Sequence, residues 1–106
     1  MSGDDVLLVW CTCPADAAGR LAEALVGERL AACVNRIGPV QSTYTWQGAV
    51  ETATETLLAI KTTAARYPAL QARLRELHPY ELPEIIATSV SNGLPDYLAW
   101  VRGGVV

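Results

Sequence analysis

A chain of 106 residues with 8 basic and 11 acidic side chains, net charge −3, lacks the basic face that binding to a nucleic-acid backbone requires. No window approaches the roughly 18 unbroken apolar residues of a membrane-crossing helix, and the opening MSGDDVLLVW is acidic where a secretory signal would be basic. Three cysteines (Cys11, Cys13, Cys33) are an odd number, which reads as free thiols in the cytoplasm rather than a disulfide framework. The length predicts one domain over 1–106, and a hydrophobic share of 51% exceeds what so small a core can hide, so subunit contacts are expected.

Val6 to Thr12 is a short apolar run suited to a strand covered on both faces. Pro14 and Asp16 then signal a helix start, and Ala18, Leu21, Ala22, Leu25 and Val26 repeat at helical spacing, predicting a helix over Ala15–Arg29. Ala32–Ile37 reads as a second strand, and Gly38–Pro39 interrupts it with a bulge or bend. Val40–Trp46 alternates, with Val40, Ser42, Tyr44 and Trp46 on one face. Gln47–Gly48 is a hairpin turn, and the return strand runs from about Val50 to Thr62. Thr62–Thr63 caps a second helix whose apolar stripe is Tyr67, Leu70, Leu74 and Leu77. That helix must end near Leu77, because Pro79 drives His78 out of the helical region. Ile85–Val90 is the last strand, and Leu94–Pro95–Asp96 opens a short terminal helix.

The order is βαβ followed by βαβ. It predicts an α+β, ferredoxin-like antiparallel sheet with two helices on one face plus a short C-terminal helix. Such a sheet has open edges, and the overlong hairpin protects them by pairing with another subunit.

Five segments carry a resemblance: LAACVN (30–35), STYTWQG (42–48), ETLLAIKTT (55–63), HPYELPEI (78–85) and PDYLAWV (95–101). In that order and spacing they resemble the CutA divalent-cation-tolerance family over about Val6–Val101. The resemblance implies a tight homotrimer with hairpins paired across subunits, a PII-like assembly, and a link to tolerance of copper and other divalent metals. It also implies a copper ligand at Cys11, in CTCP. Where some members carry two successive histidines before Pro-Tyr, this chain has Leu77 and His78, so one implied ligand is missing and any Cu2+ or other divalent cation is expected to bind weakly.

The residues themselves admit two readings at each position. Cys11 and Cys13 share a strand face and offer soft donors, or they pack under the first helix as small apolar side chains. His78 is a metal ligand, or it caps a helix C-terminus. Lys61, Glu84, Glu55, Tyr44, Tyr80 and Trp46 form a second constellation. In it Lys61 and Glu84 are expected to approach as an ion pair at a trimer seam, or to shape an inter-subunit pocket for a small anionic or metal-bound ligand, with Tyr44 and Trp46 near the hairpin tip as interface anchors rather than ligand contacts. No third group orients a Cys–His pair and no Gly-rich phosphate loop is present, so no enzyme is expected. The reading is a cytoplasmic homotrimer that binds divalent metal, copper first, through Cys11 and His78, without nucleic-acid or membrane partners. The alternative is a PII-like sensor or scaffold that holds a small molecule or protein partner between subunits.

Overall fold

A strand that is apolar on both faces has to lie inside a sheet. The computed structural model, which describes residues 2–106 and so leaves Met1 of the acidic opening outside, places β1 (Val6–Cys13) there. The elements run β1, α1 (Ala15–Gly27), β2 (Cys33–Trp46), β3 (Ala49–Thr63), α2 (Tyr67–Leu77), β4 (Ile85–Ser89) and α3 (Pro95–Gly103). The sheet order is β2-β3-β1-β4, and every pairing is antiparallel. This is the expected ferredoxin-like interleaving.

Alternation along β1 decides which face is packed. Leu7, Val9, Cys11 and Cys13 join Leu58 and Ile60 of β3 beneath Leu21 and Leu25 of α1 and Leu70 and Leu74 of α2. Leu8, Trp10 and Thr12 point to the other face, which α3 approaches and whose Thr12 end the segment after α2 reaches. There Tyr97 meets Cys33, which shares that face with its register partner Lys61. Ile37 (45% exposed) and Ile86 (55%) remain uncovered on the same face.

The β2–β3 hairpin is one continuous ribbon. Gln47 and Gly48 both take positive φ (50° and 82°), the backbone of a two-residue turn that follows the strand twist. From this turn Trp46 pairs with Ala49, Tyr44 with Glu51 and Val40 with Glu55. Between Ile37 and Val40 the register slips, and Gly38 and Pro39 form the expected bulge. The molecule is 44 Å long and 25 Å wide.

Several boundaries differ from expectation by a residue or two. Helix α1 stops at Gly27, short of Arg29, because Arg29 turns left-handed (φ 59°) and the Leu30 and Ala31 amides both return to the Leu25 carbonyl. Thr62 is no helix cap: it remains in β3, and its buried hydroxyl donates to the Leu30 carbonyl at 2.7 Å. β4 ends at Ser89 rather than Val90.

Leu58 is fully buried where β3 meets both helices. Leu58→Ala is expected to lower unfolding stability by about 2–5 kcal/mol in urea titration, with an unchanged fold by circular dichroism.

Candidate functional site

The connector after α2 is stiffened by its prolines. His78 closes the helix with its amide on the Leu74 carbonyl, and its own backbone is extended (φ −71°, ψ 137°), as a following proline requires. Its ring is 7% exposed. Nδ1 accepts the Tyr80 amide proton at 3.1 Å, which leaves Nε2 as the protonated nitrogen; Nε2 donates to the Thr12 carbonyl at 2.8 Å. That carbonyl lies just beyond Cys11–Ile85, where the β1–β4 pairing stops. Arg20 of α1 secures the same corner by donating to the Leu77 carbonyl at 2.9 Å.

Fixed in this way, Tyr80 reaches across to the hairpin. Its hydroxyl donates to Glu55 Oε2 at 2.8 Å, and Glu55 is only 5% exposed. Burial, together with the bonded Glu55 carboxylate, pushes the Tyr80 phenol well above its usual range, so it stays a proton donor. Connector and hairpin enclose a cleft of about 670 Å3. Four glutamates line it (Glu51, Glu55, Glu81 and Glu84), with Tyr44, Trp46 and Tyr80 as aromatic walls and no basic side chain among its lining.

The family model for "CutA1 divalent ion tolerance protein" matches residues 7–103. The chain belongs to the CutA1 family. It is 45% identical over 100 residues to "Divalent-cation tolerance protein CutA" of Thermus thermophilus, covering 93% of this chain and 95% of that one. It is 45% identical over 98 residues to "Protein CutA" of Mus musculus, covering 92% of this chain but 55% of the mouse protein. The crystal structure of CutA from Xylella fastidiosa superposes with a TM-score of 0.93 at 48% identity, covering 96% of this chain and 99% of that one.

Within this CutA1 fold the residues implied as copper ligands stand elsewhere than at an open site. Cys11 is fully buried in the core, and its thiol is pushed up to about 12, by burial first and then by the nearby charges of Cys13, Glu84 and Glu55. It holds its proton where a soft ligand must lose it. Burial raises the Cys13 thiol as well. His78 has both ring nitrogens engaged and no free lone pair to offer. Among the described residues no three His, Cys, Asp or Glu side chains converge as a metal would need.

The second constellation divides. Glu55, Tyr80, Glu84, Tyr44 and Trp46 do meet at the cleft, but Lys61 does not. Its ammonium bonds to Asn35 and lies 4.0 Å from Cys33 Sγ. The expected Lys61–Glu84 ion pair fails because β1 lies between β3 and β4, and Lys61 pairs with Leu8 while Ile85 pairs with Cys11. Without Lys61 the cleft has no counter-charge for the small anionic ligand considered from sequence. Glu51 and Glu81 escaped the sequence reading. The two-residue turn at Gln47–Gly48 already paired Glu51 with Tyr44, whereas nothing local marks Glu81.

Two measurements test these assignments. Tyr80→Phe removes the donor to a buried carboxylate and is expected to reduce stability by about 1–3 kcal/mol in urea titration at neutral pH. For Cys11, folded and unfolded thiols are both protonated below 9.0, so stability does not vary with pH there on its account. Above 9.0 the unfolded thiol ionises while the folded one keeps its proton to about 12, so stability falls as pH rises, by about 1.4 kcal/mol per unit at most. Denaturation at alkaline pH should show this slope, and Cys11→Ala should flatten it.

Proposed function

We propose that this protein is a homotrimer that supports divalent-cation tolerance by binding cations in the Glu55–Tyr80 cleft, without catalysing a reaction. The observation that carries the reading is the charge of that cleft: four carboxylates, one of them buried, and no basic side chain. The cleft donors do not form a closed coordination sphere, so the binding is weak and the ion keeps part of its water. Carboxylates accept any of the divalent series, and Cu2+ binds most tightly of the first-row ions at such donors. Copper therefore remains a candidate, through oxygen donors rather than Cys11 and His78.

Self-association is supported by the uncovered Ile37 and Ile86 and by the projecting hairpin. Pairing hairpins across subunits would bring the tip of one copy against the body of the next. Three free cysteines suit the cytoplasm. Among the described residues no helix is long and apolar enough to cross a membrane. The aromatic walls favour a second reading, a PII-like sensor whose cleft holds a small molecule between subunits.

Light scattering at dilute concentration is expected to give the mass of three chains. Calorimetric titration with Mn2+ and Cu2+ is expected to give weak binding that Glu55→Gln reduces and Cys11→Ala leaves unchanged. Binding lost with Cys11→Ala and kept with Glu55→Gln would move the site to the core cysteine.

A further inference from the structure

The lining of the cleft is richer than an inorganic ion can use. A hydrated metal gains from carboxylates, but it gains little from the tyrosine and tryptophan faces that make up much of the wall. Tyr44 and Trp46 stand on one face of β2, facing the connector that carries Tyr80. Aromatic faces attract a cation when it is organic and weakly hydrated. The space, about 670 Å3, falls in the range of small-molecule sites.

Glu55 supplies the polar anchor. It is only 5% exposed, and its Oε2 is held by Tyr80. Its Oε1 accepts no hydrogen bond among the described residues and is not sealed from solvent, so it opens into the cleft that Glu55 lines. Among the described residues the ion pairs lie elsewhere, on Arg73 with Glu28 and Glu76, and Lys61 is turned to Asn35. A carboxylate this buried, with one oxygen free and no cation beside it, is completed by a ligand that brings N–H donors and positive charge together. Glu51, Glu81 and Glu84 place further negative charge around the same space, while Pro79 and Leu82 offer apolar surface for methylene groups.

We propose that the Glu55–Tyr80 cleft is a receptor for a small organic ammonium ion, an alkyl amine or diamine. Its ammonium group donates to Glu55 Oε1, and its hydrocarbon lies between Trp46, Tyr44 and Tyr80. The proposal rests on the reading of this cleft as the cation site and narrows the class of cation that it takes.

The test is calorimetric titration of the intact protein with 1,4-diaminobutane, with 1,4-butanediol as the uncharged match and with magnesium chloride at equal ionic strength. Diamine binding is expected without diol binding. Glu55→Gln should weaken the diamine by about tenfold or more, the loss of a charge-assisted hydrogen bond. Trp46→Leu should weaken it about threefold and leave magnesium untouched. Glu84→Gln, at an exposed position, is the second variant should Glu55→Gln disturb the fold or the assembly, and it too should weaken the diamine. Magnesium and diamine binding equally, with no effect of Trp46→Leu, would overturn the ammonium site and leave the cation-binding reading intact. Diol binding as well as diamine would overturn the charge argument. No binding of either cation would overturn both readings.

Discussion

One hydrogen bond, from His78 Nε2 to the Thr12 carbonyl, fixes the geometry on which the cleft depends. It joins the end of α2 to the central strand at the point where β4 has not yet begun to pair. The same ring accepts the Tyr80 amide, so the direction of the connector is set by a single side chain with two bonds. Tyr80 then lands on Glu55, and the hairpin and connector become two walls of one space. A histidine that suggested metal chemistry from its type alone acts here as a structural pin.

In this chain the most conspicuous donors, Cys11 and His78, are both engaged in holding the fold. Cys11 lies in β1 and His78 is tied to its end, but one is protonated in the core and the other is committed to the backbone. The unspent polar capacity lies on the opposite face of β1, where carboxylates gather without a counter-ion. Charge left uncompensated near buried surface is a stronger pointer to a binding site than donor softness is.

Much of the fold was legible because the signals are local. The alternation of Val40–Trp46, the Gln47–Gly48 turn and the His78–Pro79 stop each act within a few residues, and each appears where local stereochemistry puts it. The helix end at Arg29 was misjudged because its left-handed turn is made without a glycine. The site was only half legible. Glu55, Tyr80, Glu84, Tyr44 and Trp46 line one cleft of a single chain, where the sequence reading had them in a pocket between subunits, and the Lys61–Glu84 approach required knowing that β1 separates their strands. Glu81 was invisible because its place follows from the fold of the connector and not from any periodicity.

The outer half of the hairpin carries a polar face of Gln41, Thr43, Thr45, Thr52 and Thr54, on which only Val50 is aliphatic, and Thr43 and Thr52 join hydroxyls at 3.0 Å across the strands. The hairpin projects from the body of the fold, so both of its sides meet solvent in the isolated chain. A ribbon with two greasy sides would adhere to any passing strand. Threonine keeps the β-preference that shapes the ribbon and leaves that side wetted, so clumping through it is discouraged.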